Sequence, residues 1–258
     1  MSCVLIVEDE KRLRDIVRDY FIGHGLDCDL ARDGAEALDL MRDAGVDMKA
    51  EDIPLDDQAV YDMISEGETD GVFQLESGGM RSFLSNMKPQ NFEDIIAAIS
   101  LYRPGPMDNI PTYIKRKHGE EEITYLHPDL APILDETYGI MVYQEQVMKI
   151  AQALGGYTMG GADKLRKVMG KKMRDEIPKQ RKMFTEGAVA KGIDEGTATK
   201  IFDQMEKFAS YGFNKSHAAA YSLVSYQTAY LKAHYPVEFM CAVMSLDMTN
   251  VDKLLLYK

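Results

Sequence analysis

A mainly α fold preceded by a short βαβα piece is the class the sequence predicts, and three observations carry it. Residues 4–41 alternate between strand and helix signals. After about residue 46 apolar residues recur at three- and four-residue spacing, the period of a helix face. Pro and Gly then break these segments at intervals, as they do between helices. The expected organisation is a piece covering residues 1–45 and a multi-helical domain covering 46–258.

Residues 4–7 read as a short buried strand. Leu13, Ile16, Val17, Tyr20 and Phe21 form a helical stripe that Gly23 and Gly25 are placed to end. Residues 26–31 make a second strand, and Asp33 caps a second helix reaching Met41. Such alternation announces a parallel sheet, although two strands do not make a stable one. Beyond residue 46, Asp56 or Asp57 caps a helix to Ile64, another lies at 80–87, and a third at 91–101 stops at Arg-Pro-Gly-Pro. Helices are expected at 144–154, 162–172, 178–191, 197–211 and 218–234, with Pro236 separating the last from one at 237–246. There is no internal repeat and no low-complexity tract.

With 45% hydrophobic and 28% charged residues, the 258-residue chain has the balance of a globular protein. Its opening, MSCVLIVEDE, offers no cationic segment, apolar core or cleavage site, so secretion and membrane insertion are not expected. Cys3, Cys28 and Cys241 are far apart and lack metal-ligand spacing, which suits reduced thiols in a cytoplasmic protein and argues against a zinc site. A net charge of -12 taken alone argues against nucleic-acid binding. The charge is uneven, however: from Lys164 to Lys182 nine basic side chains stand against Asp175 and Glu176. A basic strip on an acidic body fits a groove that receives phosphates.

VLIVEDE, the helix after it and ARDGAEAL resemble the first third of a response-regulator receiver domain, which is flavodoxin-like. The resemblance implies that Glu8 and Asp9 help hold Mg²⁺ beside a phosphorylated Asp, since Mg²⁺ favours oxygen ligands. Asp52 stands at about the right distance to be that phosphoacceptor. Its approach carries Lys49 and Glu51 where a buried parallel strand calls for Val, Ile and Leu. No later strand ends in Ser, Thr or Lys to complete the site. The expectation is a truncated receiver without its chemistry, with Glu8 and Asp9 as a solvated strand end.

The basic strip has an internal order. Lys164, Lys167, Lys171 and Arg174 fall at offsets of three, seven and ten and share a helix face, with Leu165, Val168 and Met169 on another. Gly160 and Gly161 at the helix start leave backbone amides open to an anion. A solvated basic face is the alternative reading. The second constellation, YGFNKSH, gathers Tyr211, Phe213, Asn214, Lys215, Ser216 and His217 just before a long helix. Such groups can stack on a base, bond a sugar hydroxyl and meet a phosphate; Asn214 to His217 equally read as a helix cap. Arg103, held by prolines in a rigid turn, suits a phosphate contact or a buried ion pair. Tyr143, Gln144, Glu145 and Gln146 cluster beside Val147, with Glu145 read as structural, and Leu223, Tyr226 and Tyr230 read as a core stripe.

FQLESGGM, SLYRPGPMD, TYGIMVYQEQVM, GGADKLRKVMGKK and YGFNKSHAAAYSLVSYQTAYLKAHYPVEFM occur in order to the end of the region. Together they resemble the fingers segment of the bacterial DNA polymerase III alpha subunit, a family of C-family replicative polymerases. The resemblance implies DNA-templated DNA synthesis in replication, with a deoxynucleoside triphosphate and primer–template DNA bound, other replicase subunits as partners and Mg²⁺ as the metal. It puts Arg166 and Lys167, with Lys171 in the same row, where the family contacts the triphosphate. The family more often has two arginines there, so Lys167 offers a point charge in place of a fork. YGFNKSH is implied to face the sugar and base, with His217 excluding ribonucleotides by bulk.

Nucleotidyl transfer needs two divalent metals bridged by carboxylates. The family's catalytic aspartates lie upstream of FQLES, in motifs that residues 1–45 do not contain, and Asp56 and Asp57 read as a helix cap. No catalytic residue and no metal ligand is therefore assigned, and this chain alone is expected not to polymerise. Two other readings stand beside this one: a receiver-type signalling protein phosphorylated on Asp52, and an inert remnant or misjoined chain.

Overall fold

The first strand and its partner run the same way, so a helix must carry the chain back between them. The computed structural model describes residues 3–32, 36, 39, 43, 49–209 and 211–246. Within it Cys3–Val7 (β1) and Asp27–Ala31 (β2) pair in parallel, from Cys3 opposite Asp27 to Val7 opposite Ala31. Helix Lys11–Gly23 (α1) makes the crossover, and Val4, Ile6 and Val17 form a small core between them. The helix expected from Asp33 to Met41 falls largely outside the described residues, of which 36 and 39 are helical. Asp52 sits in a single 3-10 turn, Ala50–Asp52.

Capping side chains set the next starts. Asp57 accepts from the Val60 amide at 3.3 Å and opens Gln58–Glu66 (α2). Ser77 opens Gly78–Met87 (α3) in the same way, and Asn91 opens Phe92–Leu101 (α4) with a 3.0 Å bond from the Asp94 amide. Each satisfies an amide that the first turn leaves without a partner. Ile110–Lys117 (α5) and Ala131–Leu134 (α6) were not expected from the pattern. Both are short with Pro in the first turn, so neither shows enough turns to reveal a period.

Gln144–Ala153 (α7), Met159–Gly170 (α8), Ile177–Ala190 (α9), Glu195–Ala209 (α10), Lys215–His234 (α11) and Pro236–Leu246 (α12) complete the chain. Their apolar faces build two cores. The first joins α2, α3, α4 and α11 through Val60, Ile64, Leu84, Ile95 and Tyr226. The second joins α7 to α10 through Val147, Ile150, Leu165, Phe184, Phe202 and Met205. Of the stripe expected on α11, Tyr226 is fully buried and Tyr230 packs on the first core. Leu223 does not belong to it: it is 39% exposed, because α11 is apolar around most of its circumference and buries only one side.

The chain passes between the cores at two places that lie against each other. The Phe213 amide donates to the Val142 carbonyl at 3.3 Å, and the Gln144 amide to the Phe213 carbonyl at 2.9 Å, giving a parallel bridge between Tyr143 and Phe213. This bridge brings the start of α7 beside the start of α11. Among the described residues no helix is long and apolar enough to cross a membrane.

Candidate functional site

Gln144, the first residue of α7, connects the two constellations. Its side-chain amide nitrogen donates to the Gly212 carbonyl at 2.8 Å, while its oxygen accepts from Arg166 Nη1 at 3.0 Å. Arg166 on α8 is thereby tied to the YGFNKSH segment across the bridge. Asp163 supports the same arginine: its Oδ1 accepts from Arg166 Nη2 at 2.7 Å and Nε at 3.1 Å, and its Oδ2 lies 2.6 Å from Lys167 Nζ. The spacings of three and four residues put all three side chains on one helix face. Hydrogen bonds from Lys167 and Arg166 hold the Asp163 carboxyl below the usual carboxylate range.

The cationic row is shorter as a helical feature than its sequence suggests. Helix α8 begins at Met159 and ends at Gly170, so Lys164 and Lys167 stand on it while Lys171 caps its end and Arg174 lies beyond. Lys172 takes a left-handed φ of 51°, and the Lys172 and Met173 amides bond back to Met169 and Val168, which closes the helix. At the other end Thr158 Oγ1 accepts from the Gly161 amide at 3.1 Å, so that amide is not open to an anion. Lys164, Lys167 and Lys171 are exposed, and Arg166 is half-buried.

In YGFNKSH the backbone roles are held by Asn214 and Lys215. Asn214 Oδ1 caps α11 by accepting from the His217 amide at 2.8 Å, and α11 starts at Lys215, earlier than its apolar period indicates. Glu145 accepts from Asn214 Nδ2 at 3.0 Å and from the Lys215 amide at 3.1 Å, which fixes the segment to α7. Lys215 Nζ is matched by Glu136 at 2.6 Å and Glu93 at 3.0 Å and lies over the Tyr143 ring. Burial works against its charge, and the bonds to Glu136 and Glu93 raise its pKa overall. Tyr211, Ser216 and His217 are exposed. Tyr211 lies so close to Gly105 that a Cβ there would be 2.3 Å from the ring. Arg103 does not form a buried ion pair: it is exposed, with its guanidinium 4.3 Å above the Phe213 ring.

Gln144, Glu145 and Asp163 are the residues whose site contacts the sequence reading does not name. Their partners lie 22, 69 and 70 positions away in the cases of Gln144–Arg166, Glu145–Asn214 and Glu145–Lys215, and only the Asp163 contacts have a local periodic signal. Gln146, next to them, is buried and satisfied by Val142, Tyr143 and Thr137, a structural hub. Beside the site a cleft of about 940 Å³ runs between the Gly105 turn, the turn after α8 at Lys172 and Arg174, and Glu206 and Tyr211.

No group of three or more His, Cys, Asp or Glu side chains among the described residues is arranged to hold a metal ion. Asp57 is engaged as a cap and by His234 Nε2 at 2.9 Å. Glu8 accepts from the Glu10 amide at 2.9 Å, and Asp9 is exposed at the end of β1.

Residues 35–192 match the model of the bacterial DNA polymerase III alpha subunit finger domain. The DNA polymerase III subunit alpha of Thermus aquaticus is 56% identical over 218 residues, 83% of this chain and 18% of that protein. The same subunit of Escherichia coli K12 is 57% identical over 208 residues, 78% of this chain and 18% of that protein. That of Xylella fastidiosa Temecula1 is 59% identical over 202 residues, 78% of this chain and 17% of that protein. The chain thus spans less than a fifth of the length of these relatives.

Proposed function

Since the chain belongs to the bacterial DNA polymerase III alpha subunit family, matching its finger domain, we propose that its α8–YGFNKSH surface contacts an incoming deoxynucleoside triphosphate beside primer–template DNA. In this reading Arg166, Lys167 and Lys171 meet the phosphates, Tyr211, Phe213 and His217 face the base and sugar, and Arg103 adds a phosphate contact. Asn214, Lys215 and Ser216 join that contact from the start of α11, where Asn214 caps the helix and Glu145 holds Asn214 and Lys215. Asp163 neutralises Arg166 and Lys167 when no anion is present, and a triphosphate competes for them. The observation that carries the reading is the Gln144 side chain, which links Arg166 to the Gly212 carbonyl and so couples the cations to the aromatic segment.

The setting of that contact is DNA replication in the cytoplasm with other replicase subunits. Polymerisation itself calls for carboxylates that can bridge two metal ions, and no step is assigned to such ions here. Residues 1–258 alone are proposed to bind without transferring nucleotides. Calorimetric titration with a deoxynucleoside triphosphate tests the reading: saturable binding is expected, weakened roughly 10- to 150-fold in Arg166→Ala through loss of a charged hydrogen-bond donor. Heats equal to dilution for the unaltered chain would sink it.

A further inference from the structure

A row of rings runs away from the phosphate-facing residues along α11. Phe213 and His217 meet edge to face at 5.4 Å, His217 and Tyr221 lie 4.3 Å apart with planes 40° from parallel, and Tyr221 and Phe73 lie 5.7 Å apart at 31°. His217 and Tyr221 share a face because they are four residues apart on the helix. Phe73 comes from the loop between α2 and α3, more than a hundred residues away in sequence. It is held outward: its neighbours Val72 and Leu75 are fully buried, Gln74 adopts a left-handed φ of 64°, and the Phe73 amide donates to Thr228 Oγ1 at 3.2 Å. A non-glycine residue in that region costs conformational energy that the surrounding contacts must offset. Phe73 and Tyr221 remain 38% and 39% exposed, and His217 is exposed.

Exposed rings with modest tilts suit flat partners. An unpaired nucleobase offers a π face of that kind, and stacking on protein aromatics tolerates any base. At one end of the row the exposed Arg103 guanidinium lies 4.3 Å over the Phe213 ring. It supplies the cation that a sugar–phosphate backbone requires beside stacked bases. We propose that Phe73, Tyr221 and His217 form a stacking platform for unpaired bases of single-stranded DNA, with Arg103 meeting the adjoining phosphate. This rests on the reading above that nucleic acid is what the surface meets, and it adds Phe73 and Tyr221, neither of which that reading uses.

Fluorescence anisotropy of a 5′-fluorescein-labelled oligodeoxythymidylate titrated with the whole chain tests the platform. Saturable binding is expected for the unaltered protein, and Tyr221→Ala or Phe73→Ala should weaken it roughly 5- to 150-fold, the worth of one base–aromatic stack. Tyr221→Phe should bind within about twofold of the unaltered chain, since it keeps the ring. Tyr221→Leu should lose as much as Tyr221→Ala, because it is apolar without being flat. Circular dichroism melts of each variant separate lost stacking from lost folding. Leucine restoring full binding, an abasic oligonucleotide binding as tightly as the thymidylate, or self-association with no oligonucleotide binding would each overturn the platform. Parallel titration with deoxythymidine triphosphate keeps the two readings apart: triphosphate binding without oligonucleotide binding rejects the platform alone, and the converse rejects the nucleotide contact alone.

Discussion

Asp163 pairs with two of the cations of α8, Arg166 and Lys167, and its behaviour with pH follows from that contact. Lys167 and Arg166 hold its carboxyl below the usual range, so the folded pKa lies under the unfolded value of about 3.9. A depressed carboxylate stabilises fully above the unfolded value, and the contribution disappears as pH falls through the folded one. Side-chain NMR should therefore give Asp163 a midpoint below about 3.9; an ordinary midpoint would detach it from both cations. A second residue-scale test lies in the first core, where Lys117 Nζ meets Asp94 at 2.7 Å with each side chain 5% exposed. Lys117→Met keeps the apolar stem and removes the charge, leaving a buried carboxylate with the Gln90 amide as its remaining support. Chemical denaturation should show a loss of about 3–5 kcal/mol, the cost typical of breaking a buried pair on one side. A change near zero would mean that water reaches Asp94.

At the scale of elements, the end of α8 separates what was legible from what was not. The cationic spacing of Lys164, Lys167, Lys171 and Arg174 is regular, and read alone it continues the helix. The helix stops at Gly170 instead, and Lys172 adopts the left-handed turn that glycine takes most easily. Lys172→Gly should stabilise the protein by about 1 kcal/mol through relief of that turn, seen as a rise in thermal midpoint; a fall would show that the contact of Lys172 with the Tyr211 ring outweighs it. Caps such as Asp57, Asn91 and Asn214 were legible because their bonds span three residues. The start of α7 at Gln144 was legible too, whereas α11 starts three residues before its expected position, and the meeting of the two depends on the bridge between Tyr143 and Phe213. No local periodicity encodes a contact of that range. The short helices α5 and α6 were missed for the opposite reason, having too few turns to show a period.

For the whole molecule, two helical cores share one crossing, and the candidate site lies on it. The mainly helical class was readable from the local period of 3.6, and the short parallel pair from the alternation of strand and helix signals in residues 4–31. That Arg166 and His217 belong to one surface was not readable from those periods, because Gln144 joins their segments across 22 and 68 residues of sequence. Hydrogen–deuterium exchange of the full chain with and without a deoxynucleoside triphosphate tests this coupling most directly. Residues 163–172 and 211–217 should gain protection together, and both gains should vanish in Arg166→Ala. Protection of one segment without the other, or of neither at saturating nucleotide, would contradict it.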